Sequence, residues 1–293
     1  MPIQRESRKE KLRKKRLFTE ITAIVIMLAI AFSTVSVYGA QLKRPVITAK
    51  SGIVLDGNTG KILYSKYAHY RRDPLSTTKL LTALVALEHL ETNDTIKVTK
   101  TAADTPGSTA NLKTGEKVKV KDLIYAALLP SGNDAAVALA QGTSGTTAAF
   151  AKLMNRKAKQ LGCNDSRFAN PHGWKNKNHY SSAYDMVLIA RAAMKNPLIR
   201  KACSTEIYRM AKTNKQKSRL IATTNSFVAG KKYPRLGVFA GKTGTWDANN
   251  SALVSVCEQK GRVFYAVVLN DKMSRRYDST YKILNYSYKK RGA

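Results

Sequence analysis

The chain is predicted to fold as an α+β domain, with one antiparallel sheet assembled from both chain ends and a helical subdomain inserted between them. Three observations predict it. Runs of β-type residues joined by tight turns occur near residue 51 and again near residue 251. Helical periodicity fills the interval between them, and a last helix-forming run, RRYDSTYKILNYSYKK, closes the sequence.

Taken in order, SGIVLD and GKILYSK flank the turn residues Gly57, Asn58, Thr59 and Gly60 and read as a hairpin. LTALVALEHLE from Leu81, DLIYAALL from Asp122, DAAVALAQ from Asp134, TTAAFAKLMNRKAKQLG from Thr146 and AYDMVLIARAAMK from Ala183 combine helical spacing with good helix formers. SALVSVCEQ and RVFYAVVLN flank Lys260-Gly261 and form a second hairpin. No internal repeat or low-complexity tract interrupts this order.

Residues 1–17 are a basic segment expected to stay in the cytoplasm, with eight Lys or Arg and two Glu among the first 16. An uncharged run, ITAIVIMLAIAF, begins at Ile21, so residues 18–40 read as a signal peptide or a single transmembrane anchor. Val37 and Gly39 are the small residues a cleavage point would use. Either way the positive flank stays inside, and residues 45–293 form one domain outside the cytoplasmic membrane, attached to its outer face or secreted.

The whole chain carries 51 Lys plus Arg against 19 Asp plus Glu, a net charge of +32. Such a surface calls for an anionic partner. Outside the membrane that partner is lipid head groups or wall polymer; nucleic acid and ATP are not expected. Cys163, Cys203 and Cys257 lack CxxC spacing and read as three buried thiols, and His172 and His179 fit no metal motif, so no metal or other cofactor is expected. GVFAGKTGT, residues 237–245, nearly spells a phosphate loop, but only three residues separate Gly237 from Gly241 where four are needed.

Chemistry enters with STTK, residues 76–79. On a helix Ser76 and Lys79 share one face, and an unprotonated lysine there would take the hydroxyl proton and make the serine a nucleophile. SxxK recurs at Ser279–Lys282 and Ser287–Lys290, read as solvated faces of the last helix, and a second KTG at Lys113 reads as a turn. What distinguishes STTK is order: SGN at Ser131–Asn133 follows in a loop between two helices, and GKTGT comes last, at the lip of the terminal sheet.

This ordered triple resembles the SxxK, SxN and KTG elements of penicillin-recognising serine enzymes. With LLPSGNDAAVALAQ, FANPHGW and HYSSAYDMVLIARAAMKNP, the chain is similar over residues 46–286 to DacA-like D-Ala-D-Ala carboxypeptidases, the low-molecular-mass penicillin-binding proteins of peptidase family S11. The resemblance implies a serine β-lactamase/penicillin-binding transpeptidase-like fold and a monomer without cofactor. Its implied substrate is the peptidoglycan pentapeptide, with β-lactams as covalent inhibitors. It implies Ser76 as acylated nucleophile, Lys79 as base and Ser131 as proton relay. Asn133 would hold the substrate amide and Lys242 and Thr243 its terminal carboxylate, Gly244 would leave room for the backbone, and Thr245 with Ser76 would supply oxyanion N–H groups. A peptidoglycan endopeptidase or transpeptidase shares these elements; a β-lactamase and a non-catalytic wall-binding module are further alternatives. The sequence departs from the family where Leu75 replaces a usual Ala and where KTGTWDANNSAL replaces a KTG-T-AG pattern. No amphipathic helix follows residue 290, so attachment is assigned to the N-terminal segment and to the basic surface.

Overall fold

The structure, a computed structural model, describes residues 7–37, 42–230, 233 and 236–292, with backbone alone for 29–37. The chain divides into two compact units between Lys43 and Arg44. The first contains one helix, α1 (Arg8–Val37). Among the described residues no helix is long and apolar enough to cross a membrane. Of the leader expected over residues 18–40, residues 38–40, including Gly39, lie outside the described residues.

In the second unit, β1 (Ser51–Asp56) and β2 (Ile62–Lys66) form the expected hairpin. Its turn is fixed by the Asp56 carboxylate, which accepts the N–H groups of Asn58 and Thr59 at 3.0 and 2.9 Å. A 3₁₀ turn (Leu75–Thr78) leads into α2 (Lys79–Leu87). Next come β3 (Thr95–Lys97), α3 (Lys100–Ala103), β4 (Lys117–Lys119), α4 (Val120–Leu128), α5 (Asn133–Ser144) and α6 (Thr147–Gln160). α7 (Ala183–Ala193) and α8 (Pro197–Cys203) complete the helical part. A small hairpin, β5 (Ile207–Met210) and β6 (Arg219–Ala222), precedes β7 (Val238–Asp247), β8 (Asn250–Gln259), β9 (Arg262–Asp271) and α9 (Arg276–Arg291).

The five-stranded sheet has the order β2-β1-β9-β8-β7, antiparallel throughout, so both chain ends build it. Strand alternation divides its side chains between two cores. Ile53, Val254 and Val267 face the helices, where α7 lies against β1 and β9 and α2 packs among the other helices. Val54, Leu253 and Phe264 face Ile283, Leu284 and Tyr288 of α9. The Lys260-Gly261 turn takes positive φ at both residues, 49° and 72°, which matches the twist of the β8–β9 hairpin.

One reading needs correction. Ser279 and Ser287 are not on a solvated face: they are 2% and 0% exposed, because α9 turns its serine side to the sheet while Lys282 and Lys290 point outward. The KTG segment, expected at the lip of the terminal sheet, lies in its edge strand β7. Gly241 permits this, since a Cβ there would lie 2.3 Å from the carbonyl oxygen of Val254 on β8. The three cysteines are free and buried.

Candidate active site

Ser76 sits in the 3₁₀ turn just before α2, whose residues Leu80–Ala86 are buried and anchor it in the helical core. The preceding Leu75 has φ of +51°, a conformation that costs a branched residue about 1–3 kcal/mol. It is held there from two sides. A Cβ on Gly173, itself at φ +90°, would lie 1.8 Å from the Leu75 carbonyl oxygen, and one on Gly244 would lie 2.9 Å from Leu75 Cβ. Gly173→Ala is therefore expected to lower stability by about 2–6 kcal/mol, combining strained φ with overpacking, and to slow acylation of Ser76. Gly60→Ala, with φ +73° but nothing within 4 Å, isolates the conformational part. Thermal unfolding of the two variants checks this, and equal losses would contradict the packing account.

Lys79 is fully buried, and its Nζ contacts three oxygens: Ser76 Oγ at 2.9 Å, Asn133 Oδ1 at 2.7 Å and the His172 carbonyl at 2.8 Å. None of them is a carboxylate. Burial, with the charge of Lys242 added, holds its pKa well below the ordinary lysine value, while Asp134 opposes the shift. The free amine that results can accept the Ser76 proton across the 2.9 Å contact.

The facing wall is the loop between α4 and α5. Ser131 adopts φ of +66°, and Gly132 N–H and Asn133 N–H donate to the carbonyls of Ala126 and Ser108 at 2.9 and 2.7 Å. The buried Asp134 carboxylate accepts Ala110 N–H, Leu112 N–H and the Thr109 hydroxyl, tying residues 109–112 to the start of α5. Asn133 is thus oriented at both ends, its Oδ1 on Lys79 and its Nδ2 donating to the Pro106 carbonyl at 2.6 Å.

β7 supplies the third side. Lys242 Nζ donates to Ser131 Oγ at 2.9 Å and to the Thr243 carbonyl at 3.0 Å. Burial pushes its pKa down to about 7; Cys203 opposes that shift, and the Arg276 charge adds to it. Thr243 Oγ1 is hydrogen-bonded to Thr224 Oγ1. Arg276 donates from Nη1 to the Gly244 carbonyl and to Thr245 Oγ1, at 3.2 and 2.7 Å.

All eight residues singled out from the sequence therefore come together, as Ser76–Lys79–Asn133 and Ser131–Lys242–Thr243 joined through residues 131–133 and through Gly244 against Ser76. Lys113 does not join them; it lies exposed in a turn closed by Glu116 N–H donating to the Lys113 carbonyl. A cleft of about 390 Å³ opens on Ser76, lined also by Asn133, His172, Trp174, Thr245 and Trp246. Trp174 and Trp246 meet edge to face, 5.4 Å apart. Sequence reasoning missed the His172 carbonyl, Gly173 and Arg276. The PHGW stretch was a signal for the first two, but nothing in RRY separates the buried Arg276 from the exposed Arg275.

A helical subdomain inserted into an antiparallel sheet, with a serine–lysine pair at their junction and a KTG strand opposite, defines the serine β-lactamase/penicillin-binding class of fold. The chain belongs to the peptidase S11 family of D-alanyl-D-alanine carboxypeptidases, serine-type hydrolases, whose family model matches residues 39–273. It is 36% identical over 238 residues to the D-alanyl-D-alanine carboxypeptidase DacF of Bacillus subtilis, covering 78% of this chain and 60% of that protein. It is 34% identical to the D-alanyl-D-alanine carboxypeptidase of Streptomyces sp. strain K15, covering 84% of this chain and 89% of that one. The D-alanyl-D-alanine endopeptidase of Escherichia coli K12 is 33% identical over 191 residues, 62% of this chain and 61% of that protein. The crystal structure of the Streptomyces K15 DD-transpeptidase superposes with a TM-score of 0.77 at 31% identity, covering 84% of this chain and 99% of that one.

Proposed function

We propose that this chain is a serine-type D-Ala-D-Ala carboxypeptidase that removes the terminal D-Ala of peptidoglycan stem pentapeptides outside the cytoplasmic membrane. The observation that carries this reading is the buried Lys79 amine 2.9 Å from Ser76 Oγ with no carboxylate on it. Ser76 Oγ attacks the carbonyl of the penultimate D-Ala as its proton passes to Lys79. The oxyanion forms against the N–H groups of Ser76 and Thr245, donors worth about 2.7–4 kcal/mol each in acyl-transfer enzymes. The C–N bond then breaks, and the departing D-Ala amine takes a proton through Ser131, which is hydrogen-bonded to Lys242. Asn133 holds the substrate amide on the other side of the cleft. Water finally hydrolyses the Ser76 ester, releasing the shortened peptide and the free enzyme. β-Lactams acylate the same oxygen.

The terminal carboxylate is assigned to Lys242 and Thr243, with Arg276 behind them. Binding an anion there favours the charged form of Lys242, whose pKa of about 7 leaves it only partly protonated at neutral pH. Lys242→Ala is expected to lower D-Ala release about 10- to 150-fold, the loss of one charge-assisted hydrogen bond, whereas Lys113→Ala leaves it unchanged. Equal effects at the two lysines would contradict the assignment.

A β-lactamase would need a base for rapid deacylation, and among the described residues no carboxylate lines this cleft. Asp165 and Asp185 are engaged elsewhere, with His69 and Ser166. Incubation with a muramyl pentapeptide tests the main reading, the expected products being free D-Ala and the tetrapeptide. Faster cleavage of a cross-linked dimer than of the pentapeptide would establish an endopeptidase instead, and no reaction with either would overturn the enzyme reading.

A further inference from the structure

The five-stranded sheet has its candidate active site on one edge, β7, and an unusual surface on the other, β2. The chain enters this unit along β2. Tyr64 OH donates to the Pro45 carbonyl at 3.2 Å, and Lys66 Nζ donates to the carbonyls of Ile47 and Ala49 at 2.9 and 2.8 Å, so the entering segment is pinned against the sheet. Two neighbouring clefts of about 340 and 410 Å³ open here and share Arg44 and Tyr64.

Their composition is specific. The Arg44 guanidinium lies 5.1 Å from the centroid of Tyr64, which meets Tyr286 edge to face, and Lys290 Nζ lies 6.0 Å from the Tyr286 centroid. Among the described residues neither Arg44 nor Lys290 has a salt bridge. Around them Val46, Ile62 and Tyr67 stand 83%, 44% and 59% exposed. Between residues 42 and 72 the only carboxylate is Asp56, which is buried and paired with Arg291. Lys290 Nζ donates to the Leu63 carbonyl at 3.2 Å, and cations without a carboxylate partner beside exposed aliphatic side chains and tyrosines make a surface that meets both the charge and the apolar boundary of a lipid layer. A soluble polyanion would satisfy the cations but leave Val46 and Ile62 in water.

We propose that the β2 edge docks on the surface of an anionic phospholipid bilayer, with Arg44 and Lys290 on phosphate head groups and Val46, Ile62 and Tyr67 at the acyl boundary. The proposal rests on the reading of this domain as an enzyme outside the membrane. It adds an orientation. Four strand spacings of about 4.8 Å put the β7 edge about 19 Å farther from the lipid, so the cleft faces the wall. In the sequence, residue 44 follows the uncharged run that ends at Phe32 by twelve positions.

The test uses residues 42–293, which fold on their own because both hydrophobic cores lie between Ile47 and Tyr288 and the whole sheet lies between Ser51 and Asp271. This chain is floated with phosphatidylglycerol or phosphatidylcholine vesicles from low salt to 1 M, where the Debye length falls to about 3 Å. Binding to phosphatidylglycerol alone is expected, weakening with salt. R44Q/K290Q should lower the partition coefficient about 30-fold, from about 1 kcal/mol per basic residue at an anionic surface. K201Q/K212Q, which removes two exposed charges elsewhere, should change it less than twofold. Equal losses in the two double variants would reduce the effect to net charge and overturn the proposal. So would failure of the unsubstituted chain to float with phosphatidylglycerol, whether or not it sediments with purified walls. Penicillin labelling of every variant separates the two readings: labelled protein that does not float refutes the docking face alone, and unlabelled protein refutes the enzyme.

Discussion

Ser76→Ala is expected to abolish labelling by a fluorescent penicillin and release of D-Ala from the pentapeptide, because it removes the atom that carries the acyl group. Reversible binding should survive, since Lys242, Thr243 and Asn133 are untouched. The sequence contains two more serines three residues before a lysine, and the structure says why they cannot substitute. Ser279 Oγ is buried 3.2 Å from Thr48 Oγ1, and Ser287 Oγ is buried and donates to the Ile283 carbonyl at 2.7 Å. Ser279→Ala and Ser287→Ala should label like the unsubstituted chain. Mass spectrometry of the acylated protein locates the adduct directly; an adduct on any other residue, or labelling that persists in Ser76→Ala, removes the basis of the mechanism.

Much of this arrangement was legible because periodicity and motif order are local properties. The hairpin of β1 and β2, helices α4 to α7 and the β8–β9 hairpin follow from alternation, helical spacing and turn residues, each readable within about a dozen positions. What escaped depends on contacts across the fold. The extent of β7 does not show in alternation, because its glycines serve close approach to β8 and Ser76. Ser279 and Ser287 look solvated until α9 is laid on the sheet. The His172 carbonyl that accepts from Lys79 is invisible in sequence, since every residue carries one. Arg276 becomes distinct from Arg275 only when one guanidinium is seen to reach Gly244 and Thr245. The small hairpins, β3 with β4 and β5 with β6, are three or four residues long and too short for periodicity to register.

Lys79→Arg is expected to slow acylation about 10²- to 10⁴-fold, the range that a positioned general base contributes. Arginine keeps donors for Asn133 and His172 but stays protonated at any working pH, so it cannot accept the Ser76 proton. A loss in this variant therefore reports the need for a neutral amine at this position. Thermal unfolding and reversible penicillin binding by Lys79→Arg show whether the larger side chain has merely deformed the cleft. In the unsubstituted enzyme the saturating acylation rate should rise with pH as Lys79 loses its proton, with the ascending limb well below the ordinary lysine range. Burial is the chief cause of that displacement, and the Lys242 charge is the second. The sign for Lys242→Gln follows: removing a neighbouring cation stabilises protonated Lys79, leaves less free amine at any given pH, and moves the limb toward alkaline values. Because that rate is measured at saturation, weaker carboxylate binding by the glutamine variant does not mimic the shift. Lys79→Arg acylating within tenfold of the unsubstituted chain, or a limb that stays in place when Lys242 is replaced, would mean that another group takes the proton from Ser76.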